Sequence, residues 1–164
     1  MAIRKIRTIG DDILRKHCKP VKELTPRLQD LIEDMFETMY EACGVGLAAP
    51  QVGVLKQIVV IDVEDGNQYV LINPVIIETS GSQTGSEGCL SVPGKSGVVT
   101  RPDHVKVKAF DCEMKEFELV GEDLLARANC HECDHLSGDL FVDKVEGELT
   151  DVDQEEDETE EGEE

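Results

Sequence analysis

Five consecutive residues, His131-Glu132-Cys133-Asp134-His135, constrain this chain more than any other stretch. They close a segment that starts near Gly121-Glu122-Asp123, whose acids favour a helix N-terminus, and reaches about Leu136 before Ser137-Gly138. At 100° per residue the two histidines, four apart, lie within roughly 40° of each other on one helix face. Two imidazoles so placed can hold one divalent metal, and Glu132 beside them can act on a bound water. The plain alternative is a helix with two chance histidines. If the pair does bind metal, the site is incomplete, and a third ligand must come from elsewhere in the chain.

Cys89 is the best candidate for that ligand. Glu87-Gly88-Cys89-Leu90-Ser91 sits between a Gly-rich loop and Pro93, where a backbone can approach a site closely. A rival set is Cys130-His131-Glu132-Cys133 as a CxxC structural zinc site. Helix geometry opposes it, because Cys133 points roughly 160° from His135 and 200° from His131 around the axis. A third segment, Gly44-Val45-Gly46-Leu47-Ala48-Ala49-Pro50-Gln51, reads most simply as a helix C-cap and a tight turn. Its small residues would also let an extended ligand backbone lie close by, and Gln51 offers an amide donor.

Between these segments the pattern is α+β with mostly antiparallel sheet. An N-terminal helix is predicted from Pro26 to about Cys43, where Leu28, Leu31, Ile32, Met35, Phe36, Met39 and Tyr40 recur at three- and four-residue steps. Thr25 serves as its N-cap, Pro26 takes the first helical position, and Gly44 ends it. A shorter helix fits Asp11–His17. Residues 57–63 read as a buried β-branched strand, turned by Asp65-Gly66-Asn67 into 69–72, which Asn73-Pro74 breaks before 75–77. Residues 80–86 read as a Gly/Ser-rich loop. Further strands are predicted at 98–101, 105–111 and 117–120.

Composition limits the function classes. The chain has 164 residues, 40% hydrophobic, which fits one domain with a real core. Its formal charge is −20, from 36 acidic and 16 basic residues. Twelve of the acids lie in 146–164, which has no basic residue, so a folded domain over 1–145 and an acidic, disordered tail over 146–164 are expected. Broad charge complementarity to nucleic acid is disfavoured by this balance. No apolar run approaches the roughly 20 residues of a membrane span, and the N-terminus is not a secretory signal. Six cysteines without such a signal argue for reduced thiols in a cytosol.

GVGLAAPQ at 44–51, EGCLS at 87–91 and HECDH at 131–135, in that order, resemble the hallmarks of peptide deformylase. The resemblance covers about residues 1–145. It implies antiparallel sheets packed around a central metal-binding helix, and removal of the formyl group from the N-terminal formyl-methionine of newly made bacterial or organellar polypeptides. Carried over, Cys89, His131 and His135 would ligate one divalent metal, Fe(II) first, with zinc and nickel as substitutes. Glu132 would be the general acid/base, while the Gln51 amide and the Leu90 backbone N–H would meet the oxyanion. The substrate would lie extended along Val45-Gly46 and Glu87-Gly88, with its methionine in an apolar pocket that includes Leu124 and the His131 ring. Glu87 would pair with Arg101 and brace the metal loop.

The implied partners are formyl-methionyl peptides and nascent chains at the ribosome, met by a cytoplasmic monomer with no membrane contact and no strong nucleic-acid binding. Two departures stand out. Cys130 replaces the Gln that the family usually carries before the first histidine, and is expected beside the metal rather than on it. The C-terminus is acidic where some relatives carry a long basic helix used at the ribosome, and its charge should be repelled by ribosomal RNA. A metallopeptidase would explain the helix but neither Cys89 nor the GVGLAAPQ segment. A binding protein that has kept the fold is the remaining alternative.

Overall fold

A computed structural model describes residues 2–152. The first helix, α1 (Pro26–Glu41), forms as its periodicity requires: the Thr25 side chain accepts from Leu28 N–H, and Leu31, Ile32, Met35 and Met39 are buried along one face. It stops two residues before Cys43 because Cys43 takes a left-handed φ of 59° while Gly44 N–H bonds back to the Met39 carbonyl. The expected Asp11–His17 helix is a single 3-10 turn, Asp12–Arg15, capped by Asp11.

Eight strands follow among the described residues: β1 (Gly46–Ala48), β2 (Ile58–Ile61), β3 (Tyr69–Ser80), β4 (Gln83–Cys89), β5 (Val92–Arg101), β6 (His104–Phe110), β7 (Glu116–Glu122) and β8 (Glu146–Asp151). They make an antiparallel five-stranded sheet, ordered β1-β2-β3-β6-β7, and a three-stranded one, β4-β5-β8. The second helix, α2 (Asp123–Leu136), packs across the larger sheet and also touches β5 of the smaller one.

β2 shows why this arrangement buries a fully apolar strand. Ile58 and Val60 join the α1 residues Leu31, Ile32, Met35 and Met39, whereas Val59 and Ile61 join Ala128 and Leu136 of α2. Alternate side chains thus face two different helices, and all four are buried.

Three expectations need correction. Asn73-Pro74 does not break a strand: β3 runs through it with a bulge, Asn73 at φ 52° and its amide bonded both ways to the Val21 backbone at 2.7 and 2.8 Å. The Gly/Ser-rich stretch is not all loop, since β4 begins at Gln83 and pairs with β5 from Arg101 back to Val92. The folded part does not end at Val145. β8 pairs Ser96 with Thr150 and Val98 with Glu146, so the first six residues of the expected tail, Glu146–Asp151, belong to the sheet, and residues 153–164 lie outside the described residues.

Candidate active site

Cys89, His131 and His135 come together although 42 residues separate the first two. A register shift between Gly88 and Cys89 at the end of β4 turns the thiol onto α2. One ligand atom from each residue lies within 4.8 Å of the others. Cys89 Sγ is 3.4 Å from His135 Nε2, which is 3.3 Å from His131 Nε2.

The polarity of these atoms follows from what holds them. His131 Nδ1 is 2.5 Å from Glu87 Oε1, and donating to that carboxylate leaves Nε2 a lone pair aimed at the cluster. Glu87 is in turn held by Arg101, at 2.6 and 3.2 Å, and by Arg127 at 2.7 Å. Arg101 also donates to Asp134 at 2.6 Å. The Cys89 sulfur accepts from Ser91 N–H at 3.4 Å and lies 3.6 Å from Gln51 Nε2. Lone pairs from one sulfur and two nitrogens therefore converge, the donor set of a tetrahedral metal site with one position left open. The buried Glu132 Oε1 has no hydrogen-bond partner, as a group meant to act on a further molecule would lack one.

Burial raises the Glu132 carboxyl, against the lowering effect of His131, to about 7. Burial alone would raise Glu87 too, but its bonds from His131 and Arg101 prevail and bring it to about 2. Burial would lower His131, yet Glu132 and the Cys89 and Glu87 contacts hold it above an ordinary imidazole, while burial and the His131 charge take His135 down to about 3. Two carboxylates 45 residues apart in sequence thus hold opposite protonation tendencies within one site.

The cluster opens on a cavity of about 680 Å³. Val45, Gly46, Gln51, Glu87, Gly88 and Cys89 line it, and so do Leu90, Leu124, His131 and Glu132; the deeper His135 does not. Gly46 is needed there, because a Cβ would come within 2.5 Å of Glu132 Oε2. β1 and β4 are both edge strands of their sheets, so two unpaired backbone edges face the same cavity. Leu124 is 47% exposed at its mouth. Cys130 packs with Val105, Val107 and Ala126 and is not one of the three clustered ligands.

Sequence reasoning missed Arg127 and Ser91. Arg127 carried a readable signal, since it stands four residues before His131 on the same helix face. Ser91 Oγ accepts from Gln51 Nε2 at 3.0 Å, a contact that joins two loops distant in sequence and had no local sign.

A family model for polypeptide deformylase matches residues 3–150. The chain belongs to the polypeptide deformylase family. It is 63% identical to a peptide deformylase of Lachnoclostridium phytofermentans over 93% of this chain and 94% of that one. A peptide deformylase of Agathobacter rectalis is 62% identical, over 93% and 96%. Among solved structures, the deformylase of Legionella pneumophila superposes with a TM-score of 0.85 at 50% identity, covering 88% of this chain and 86% of that one. The deformylase of Synechococcus elongatus, solved in complex with actinonin, gives 0.84 at 47% identity, covering 87% and 78%. Among the described residues of this deformylase no helix is long and apolar enough to cross a membrane.

Proposed function

We propose that this deformylase removes the formyl group from the N-terminal formyl-methionine of newly synthesised polypeptides through the Cys89, His131, His135 and Glu132 constellation. The observation that carries the reading is the convergence of three ligand atoms within 4.8 Å beside a buried, unpartnered carboxylate oxygen. Cys89, His131 and His135 would hold one divalent ion, Fe(II) first, with zinc or nickel as substitutes. Such an ion supplies a Lewis acid for the formyl carbonyl and makes water acidic enough to attack near neutral pH.

The chain's own residues do the rest. Glu132, with its carboxyl raised to about 7, takes the proton of the attacking water and passes it to the leaving amine, releasing formate. Gln51 Nε2, already beside the sulfur, and the Leu90 N–H are the donors for the oxyanion, and losing one such donor costs about a hundredfold or more in rate. Glu87 keeps the His131 ring in one tautomer and orientation. Val45-Gly46 and Glu87-Gly88 offer their free edges to an extended peptide, which binds through its main chain and so accepts many sequences. Leu124 and the His131 ring contribute the apolar wall for methionine. The reading also places the enzyme in the cytoplasm, as a monomer acting on nascent chains.

The test is anaerobic turnover of formyl-Met-Ala-Ser by Fe(II)-loaded protein, read as formate released. Formate from the wild type, and almost none from Glu132→Ala at equal metal content, is the expected result. A protein holding one metal per chain that releases no formate would overturn it.

A further inference from the structure

All three polar groups of Ser91, a residue with no exposed surface, are engaged around the site. Its N–H donates to Cys89 Sγ at 3.4 Å, its hydroxyl oxygen accepts from Gln51 Nε2 at 3.0 Å, and its carbonyl accepts from Ile9 N–H at 2.8 Å. Gln51 is held as completely. Its Oε1 accepts from Ala48 N–H at 2.9 Å, and its carbonyl accepts from Arg7 N–H at 2.6 Å. Arg7 and Ile9 are alternate residues of the N-terminal arm, so one short stretch grips the backbones of two segments 40 residues apart.

We infer that Ser91 is a positioning residue for deformylation: its hydroxyl aims the Gln51 amide, and the Arg7–Ile9 arm locks together the two segments that carry them. This role rests on the deformylase reading. A side-chain amide can point either of two ways, and here the choice is forced. Turned over, its NH2 would face the Ala48 N–H, donor against donor, and its oxygen would face the Cys89 sulfur, acceptor against acceptor. Ala48 therefore decides which atom faces the cluster, but a single hydrogen bond leaves the amide free to rotate about it. Ser91 supplies the second fixed point. It takes one of the two Nε2 hydrogens and leaves the other on the side of the Cys89 sulfur, 3.6 Å away, where the formyl oxygen is to be met. Removing the hydroxyl strands a donor in a side chain that is 1% exposed, so water does not replace the lost acceptor. The amide then swings, and a donor off its line stabilises the oxyanion less. The metal ligands are untouched, because Ser91→Ala keeps the N–H from which the Cys89 sulfur accepts.

The test is a cycle of four Fe(II)-loaded proteins at equal metal content: wild type, Ser91→Ala, Gln51→Ala and the double variant, turning over formyl-Met-Ala-Ser anaerobically. Ser91→Ala should lower kcat about tenfold, less than the hundredfold or more expected of Gln51→Ala. KM, and the inhibition constant of the product peptide Met-Ala-Ser, should stay within about twofold of wild type. In the Gln51→Ala background the serine change should cost less than about twofold, since the group it aims is gone. An equal loss in both backgrounds overturns the proposal, because the serine would then act by another route. So does a wild-type kcat in Ser91→Ala or in Gln51→Ala, or a loss carried by KM and product affinity. Ser91→Gly repeats the cycle should the alanine variant not fold. For the arm, Arg7→Pro lacks the N–H from which the Gln51 carbonyl accepts, whereas Arg7→Ala lacks only the side chain. The proline variant should have the lower kcat by severalfold, and equal values overturn the arm's share. Independently of turnover, the Gln51 side-chain NH2 of zinc-loaded, nitrogen-15-labelled protein should lose order in Ser91→Ala by NMR relaxation, and an unchanged amide overturns the aiming. Absence of formate from the wild type faults the deformylase reading instead, and the NMR comparison still decides whether Ser91 holds the amide.

Discussion

Behind the Cys/His/His cluster two arginines and a histidine converge on one buried carboxylate, Glu87; below α1, Lys19, Lys22, Arg27 and Lys56 line one concave surface and form no ion pair among the described residues. The difference follows from solvent. Glu87 and Arg101 are 5% and 4% exposed, so each would carry a heavy desolvation cost without the other, and folding has to deliver all partners at once. Lys19, Lys22 and Arg27 are exposed, so water screens them and their repulsion is tolerated. A buried network of this kind fixes geometry for catalysis. An exposed, uncompensated one leaves charge free for a partner.

The sharpest way to break the buried side is at the group it surrounds. Glu132→Gln keeps the shape of the side chain and removes its proton chemistry, so kcat should fall by roughly three orders of magnitude, while metal content measured by atomic absorption stays at the wild-type value. Stripping the metal with a chelator should abolish formate release, and adding Fe(II) back anaerobically should restore it. A Glu132→Gln protein that keeps a tenth of the activity would show that the carboxylate is not the proton carrier.

Glu87→Gln attacks the network itself. It leaves Arg101, Arg127 and His131 short of a charge, and breaking a buried pair in this way costs roughly 3–5 kcal/mol, read from urea unfolding. Metal affinity should drop about 10- to 100-fold, because the ring of His131 loses its orienting acceptor. The pH dependence has a definite sign. The folded-state pKa of Glu87 is about 2, below its ordinary 4.5, so its stabilisation is whole above about pH 4.5 and is lost as pH falls toward 2. The gap between wild type and variant should close as pH falls below 4.5. A gap that widens in acid would mean that the carboxylate is not ionised in the folded state.

Gly46→Ala sets backbone against the same site. The new Cβ would meet Glu132 Oε2 at 2.5 Å, so either the strand or the carboxylate must move. Overpacking of this kind costs about 1–3 kcal/mol, and the displaced carboxylate should lower kcat more than it raises KM. Equal thermal stability and turnover would show that β1 yields freely.

How much of this could be read beforehand depended on whether the signal was local. α1 was legible because a helix writes its buried face every three to four residues, and Thr25 and Pro26 marked its start. The metal-type helix was legible because both histidines and Glu132 lie within five residues. Cys89 could be nominated only as a candidate, since the bulge that aims its thiol arises from pairing with β5. β4 was hidden by small polar residues that make poor strand formers alone and pair well against Val98 and Val99. β8 was hidden by acidity: its place comes from Ser96 and Thr150 side by side and from the Lys95–Asp151 ion pair, contacts over more than fifty residues. The cationic concavity below α1 was illegible for the same reason, because Arg4, Lys19, Arg27 and Lys56 come from four separate stretches of chain.

The smallest effect tests the exposed side. Lys19→Gln removes one of two like charges held in register, so it should stabilise slightly, by about 0.2–1 kcal/mol at low salt. Matched thermal melts of wild type and variant at 20 and 300 mM salt decide this. A stabilisation at 20 mM salt that shrinks at 300 mM would mean that the two lysines repel across the bridge. No shift at either salt would mean that water already screens the pair and that the bridge is set by its backbone hydrogen bonds alone.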